Sequence, residues 1–195
     1  MRKCPMGPRE RILEAATELF YREGYDATGI NRVLEKAGAH KQSLYQHYHS
    51  KEALGLAYIK ERSQEVSDLI SLVTRKDHPL EMVDAWVRVL KREARKERFI
   101  GCPVVNLAAQ TLQSPGMRED LAAIVEGWID SLEAYFQRHR DHPLLANQRP
   151  EALARRLIVI YEGNTQMFLV TRNLEWLDGI SRDFRVCLNS ASIHP

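Results

Sequence analysis

Residues 28–51, TGINRVLEKAGAHKQSLYQHYHSK, read as two short helices joined at Gly38. Ile30, Val33, Leu34 and Ala37 recur at the spacing that lines up one apolar stripe on a helix. Gly38 follows the last of them, and glycine takes a left-handed backbone angle without a side-chain penalty, the usual way a helix stops. A second helix can begin shortly after, anchored by Leu44 and Tyr48. His40, Lys41, Gln42, Ser43, Gln46 and His47 are then left facing outward. All carry hydrogen-bonding groups suited to base edges or phosphates, so the stretch is in outline a DNA-reading unit.

Upstream, Ile12, Leu13, Ala15, Ala16, Leu19 and Phe20 share one face of a helix from about Arg9 to Glu23, closing at Gly24. Downstream, Ser50 is placed to cap a long helix from Lys51 to about Val73, with Leu54, Ile59, Val66 and Ile70 in a looser stripe. Further helical patterns fall at about 79–97, 103–113, 116–139, 150–172 and 174–189. Pro8, Pro79, Pro103, Pro115 and Pro150 each open such a run, where a missing N–H costs nothing. The dipeptide Asp178-Gly179 suits a hairpin turn but has no alternating runs beside it that could pair. The expectation is an all-α chain of about nine helices. A three-helix head with a helix-turn-helix occupies residues 1–50, and a helical-bundle body occupies 51–195. The longest irregular connection is expected near 141–150.

The 195 residues are 44% hydrophobic and 28% charged, with a formal net charge of +2, so the chain is not a polycation that coats nucleic acid indiscriminately. Residues 1–51 nevertheless hold nine Lys/Arg against six Asp/Glu, while 52–195 hold nineteen against twenty. The amino-terminal quarter is the end to meet an anion. Cys4, Cys102 and Cys187 are far apart and form no C-x-x-C or Cys/His spacing, which fits a reducing cytoplasm and no metal site. The His139 and His142 pair lies in a polar loop and reads as surface. No stretch has the form of a secretory signal or a membrane span. No H-E-x-x-H, G-x-S-x-G or phosphate-loop pattern is present, so neither catalysis nor a cofactor is expected.

ILEAATELF, GYDAT, LEKAG and SLYQHYHSKEAL, in this order over residues 9–56, resemble the amino-terminal domain of TetR-family transcriptional regulators. Ala15, Phe20, Gly24, Thr28, Gly38, Leu44, Tyr45, His47, Lys51 and Leu54 are all in step with that pattern. The resemblance implies a cytoplasmic bacterial regulator, most simply a repressor, that grips a near-palindromic DNA operator as a homodimer and is released by a small molecule bound in its body. Thr28, Lys41, Tyr45, His47 and Lys51 then fall where the family touches phosphates. His40, Gln42 and Ser43 fall where it reads base edges. Three residues depart from the usual pattern. His40 replaces Ser or Thr and deprives the second short helix of a strong cap, Gln42 replaces Gly and adds a reader, and Leu34 replaces Ala where the two helices cross.

In the body, Trp86, Asn106, Gln110, Trp128, Tyr135, Tyr161 and Met167 are the aromatic, amide and thioether types that line ligand pockets. The helix near 150–172 is apolar on most sides, and the resemblance gives it both a cavity wall and, with the last helix, the dimer contact. Leu177, Ile180, Phe184 and Leu188 repeat along that last helix. Glu162, Asn164 and Gln166 interrupt the apolar run and need partners, either across an interface or in a pocket. Cys102, ahead of Pro103, stands at a helix start where the dipole favours thiolate. It reads as a small buried residue in a tight turn or as a sensor thiol, the second giving a redox- or electrophile-sensing regulator. From another class comes a helical enzyme that kept a vestigial head.

Overall fold

A computed structural model describes residues 6–96, 99–111 and 115–189. The helices among them are α1 (Pro8–Glu23), α2 (Ile30–Ala37), α3 (Lys41–His47), α4 (Lys51–Val73), α5 (Pro79–Ala94), α6 (Pro103–Gln110), α7 (Pro115–Arg138), α8 (Pro150–Thr171) and α9 (Glu175–Asn189). The described residues contain no strand. Five helices start on the prolines that mark them in the sequence. Ser50 Oγ accepts from the Ala53 N–H at 3.0 Å and caps α4. The expected ends near 97 and 113 fall short in the structure. Lys96 N–H turns back to Glu93 O at 2.9 Å after α5, and Thr111 Oγ1 donates to Leu107 O at 2.9 Å after α6. The connection near 141–150 contains a 3₁₀ turn at Pro143–Leu145, whose first free N–H, that of Leu144, donates to His142 Nδ1 at 3.2 Å.

The chain forms two compact units. One comprises residues 1–64 with 103–122. Its core holds Ile12, Ala16, Phe20, Val33, Leu44 and Leu54, and the Phe20 ring meets Tyr25 at 5.0 Å and Tyr58 at 5.6 Å. Gly55 is glycine for a steric reason. A Cβ there would lie 2.6 Å from the Tyr25 ring and 3.2 Å from Met117, so only a bare backbone lets both side chains close onto α4. This grouping differs from a cut at 50/51, because α6 belongs with the head. Gln110 Oε1 accepts from the Asp26 N–H at 3.3 Å and lies 2.9 Å from where a Gly24 Cβ would stand.

The other unit comprises residues 65–102 with 123–195. In it α8 packs along α9, and α5 packs on α9. Trp86, Leu132, Phe136, Leu157, Ile180 and Phe184 are closed off from solvent, with Phe136 and Phe184 stacked at 5.9 Å. Gly179 permits a close approach of α9 to α8. A Cβ there would sit 2.3 Å from Asn164 Oδ1. Asn164 Nδ2 donates to Ile160 O and to Asp183 Oδ2, both at 3.0 Å, so this polar interruption of α8 is satisfied between the two helices.

Candidate nucleic-acid interface

The turn between α2 and α3 is built on Gly38, at φ 56° and ψ 43°. Its N–H donates to Glu35 O at 3.2 Å, and the Ala39 N–H donates to Leu34 O at 3.0 Å, which satisfies the carbonyls that the end of α2 would otherwise leave open. No side chain caps α3, since His40 at the cap position contributes no hydrogen bond. Seven residues without a cap cannot hold a helix in water. Tertiary packing holds this one, through Leu44, fully buried, and Tyr48, whose hydroxyl donates to Arg9 O at 3.1 Å.

That anchoring leaves His40, Lys41, Gln42, Tyr45, Gln46 and His47 exposed and Ser43 half-buried. The predicted reading set of His40, Gln42 and Ser43 thus lies together at the start of α3. Lys41 Nζ stands 5.9 Å from the Tyr45 ring, a cation and an aromatic hydroxyl side by side on the open face. Lys51 is placed apart from them at the start of α4. Its Nζ donates to Asp26 O at 3.3 Å and sits 4.5 Å from the Tyr25 ring. Burial, then Glu52 and Asp26, push the Tyr25 hydroxyl up to about 12, so that ring stays neutral beneath the lysine.

Thr28 is placed otherwise than the sequence suggests for a phosphate contact. It is fully buried, and its hydroxyl donates to Gly24 O at 2.7 Å. The proton a phosphate would need is already committed to the loop after α1. Gln110, from the predicted pocket set, braces the same loop and donates from Nε2 to Asn106 O at 3.0 Å. Both amide residues therefore sit in the unit that contains the head. Nothing in the local sequence marks this, since Gln110 and Asp26 are 84 positions apart.

The other expected pocket residues divide. Trp86 and Tyr161 come together, with ring centroids 5.3 Å apart. Tyr135 is buried against Phe136 and His139, and burial lifts its hydroxyl to about 12. Trp128 donates from Nε1 to Ser67 Oγ at 3.1 Å. Met167 is 38% exposed on the outer side of α8, beside Val159 and Val170. Cys102 is fully buried, and its thiol hydrogen-bonds the Glu162 carboxyl. Burial denies it the access of a reactive thiolate. Burial raises the Glu162 carboxyl to about 7, with the thiol bond pulling the other way. Glu162 is thus a group the sequence flagged only as a polar interruption. Cys4 lies outside the described residues.

Residues 12–58 match the family described as bacterial regulatory proteins, tetR family, and residues 79–183 match the C-terminal domain of LmrA/YxaF-like transcriptional regulators. The chain belongs to the TetR family. The HTH-type transcriptional regulator LmrA of Bacillus subtilis (strain 168) is 35% identical over 132 residues, 64% of this chain and 69% of its own. The HTH-type transcriptional repressor DhaR of Mycobacterium sp. (strain GP1) is 25% identical over 179 residues, 87% of this chain and 86% of its own. Among solved structures, the reduced form of NemR from E. coli has a TM-score of 0.78 at 20% identity, covering 91% of this chain and 94% of its own. The regulatory protein TetR from Rhodobacter sphaeroides has a TM-score of 0.74 at 22% identity, covering 92% and 97%. These likenesses place the all-α fold, and the family makes the chain a DNA-binding transcriptional regulator. No helix among the described residues is long and apolar enough to cross a membrane.

Proposed function

We propose that this TetR-family protein is a ligand-controlled repressor that acts in the cytoplasm, binds a near-palindromic operator as a homodimer and lets go when a small molecule enters its body. The observation that carries the DNA half is the composition of α3, whose apolar side chains are spent inward while its exposed face is made of imidazole, ammonium, amide and phenol groups. Gln42 and Ser43, with His40, are the base-reading set. Lys41, Tyr45, His47 and Lys51 are the phosphate set.

Exposed apolar residues on the last two helices support the dimer. Val159, Met167 and Val170 on α8 and Val186 on α9 are 70%, 38%, 78% and 60% exposed, and Gly163 lies between the first two with open space around it. Such a stripe is costly in water and suits a second copy. A two-fold dimer reads two half-sites about 34–36 Å apart, or a multiple of that.

The test is an operator titration across salt. Lys41→Ala weakens binding to every sequence and lowers the slope of log affinity against log salt by roughly one, while Gln42→Ala relaxes preference at one base position. An unchanged salt slope for Lys41→Ala would remove α3 from the phosphate backbone and overturn the contact set.

A further inference from the structure

We propose that the inner face of α8 is a binding site for an organic cation, a protonated amine on an aromatic body, with its nitrogen held by Glu162. The proposal rests on the reading of the body as the effector-binding part. It deepens that reading by assigning the site and the chemical class.

Three polar atoms on neighbouring positions of α8, Glu162 Oε2, Thr165 Oγ1 and Gln166 Nε2, are closed off from solvent without a hydrogen-bond partner, as is Trp86 Nε1 from α5. Thr165 is fully buried and Trp86 is 1% exposed. Folded interiors rarely leave such groups open, and a polar atom with no partner usually marks a place that another molecule completes. Glu162 lies one turn from Thr165 and Thr165 one turn from Tyr161, whereas Gln166 falls on the side of α8 that carries Val159 and Val170. Tyr161 lies on the same helix with its ring 5.3 Å from Trp86. Gly101, at φ 78°, brings the loop before α6 against Thr165, where a Cβ would stand 3.2 Å from the threonine methyl.

The chemistry of these groups selects the ligand. Glu162 is the only acid among them, and one of its oxygens is free while the thiol of Cys102 hydrogen-bonds its carboxyl. The titratable groups facing it are that thiol, from the loop, and the Tyr161 phenol on its own helix; no lysine, arginine or histidine of the described residues pairs with it. A carboxylate without a basic partner in such a place is costly, and an ammonium supplied by the ligand removes the cost. An anionic ligand would add repulsion. The aromatic pair offers ring faces that favour a cation further. Trp86 presents an N–H donor and Thr165 a hydroxyl, and so the ligand must also carry an acceptor oxygen within reach of them.

The carboxyl, raised to about 7, must ionise to hold the cation, so affinity rises with pH. The full chain is titrated by calorimetry at pH 6 and pH 8 with three compounds on one skeleton: a naphthyloxy amino alcohol, its uncharged N-acetyl counterpart and the naphthyloxy acetate. The amino alcohol is expected to bind best and about tenfold more tightly at pH 8, following the ionised fraction of the carboxyl. Glu162→Gln should cost that compound at least about tenfold and abolish the pH dependence, while Thr165→Val should cost a few-fold and keep it. Equal or tighter binding of the neutral compound or the acid, binding unaffected by Glu162→Gln, or no binding by the amino alcohol would each overturn the cation site. The pH profile of the unmodified chain decides the matter even if a variant fails to fold. A cation that binds as expected but leaves operator affinity unchanged would support the site and overturn ligand release.

Discussion

Replacing Gly179 by alanine tests how tightly the last two helices are joined, and intuition about helices gives the wrong sign. Alanine is the better helix former by about 1 kcal/mol, so on propensity alone the variant is stabilised. The geometry says otherwise. The new methyl would sit 2.3 Å from Asn164 Oδ1, and Asn164 cannot swing away freely because its Nδ2 is held by Ile160 O and Asp183 Oδ2. Losing the bond to the aspartate costs about 1.5–3 kcal/mol, and residual overpacking costs about 1–3 kcal/mol. The expected net destabilisation is therefore about 1.5–5 kcal/mol, a fall in Tm of roughly 5–15 °C for a chain of this size. Thermal unfolding measures it, and a double-mutant cycle with Asn164→Ala identifies the cause. With the amide gone the methyl has room, so Gly179→Ala should then cost nothing or stabilise slightly. A stabilised single variant, or effects that add to within about 0.5 kcal/mol, would refute the reasoning.

Thr28→Val loses the hydroxyl bonded to Gly24 and should lower stability by about 1 kcal/mol in urea unfolding, with the operator salt slope of the folded protein unchanged. Glu162 makes stability depend on pH. Its folded carboxyl titrates at about 7 against 4.5 in the unfolded chain, so the folded state holds the extra proton between those values. Stability should fall as pH rises from about 4.5 to about 7, by on the order of 3 kcal/mol, and stay level above; Glu162→Gln should flatten that part of the profile in denaturant titrations. Iodoacetamide on the native chain should label half-buried Cys187 well before buried Cys102, and equal rates would reopen the sensor-thiol reading.

The fold was legible where a local rule suffices. Proline at first helical positions, the Gly38 stop and the spacing of apolar residues each depend on a few neighbours along the chain, and the helices begin where those rules put them. The outward face of α3 was legible for the same reason, because Leu44 and Tyr48 fix which side is left over. Thr28 and Gln110 were not. Whether a threonine hydroxyl is free depends on the carbonyl it meets, and whether a glutamine lines a pocket or braces a loop depends on contacts across 84 residues. Periodicity says that a face is apolar and not what covers it, so it could not separate Trp86, buried against Tyr161, from Met167, left on the outer side of α8.

The two helices that bear on function treat their polar side chains in opposite ways. On α3 the polar groups face water, which satisfies them at no cost until a nucleic acid replaces it, and so neither their spacing nor their identity is constrained by folding. On α8, Glu162 and Thr165 each carry a polar atom closed off from solvent without a partner, which folding alone would select against. The first helix can therefore change what it reads without disturbing the core. The second is a place where stability is given up, as a site completed by another molecule would require.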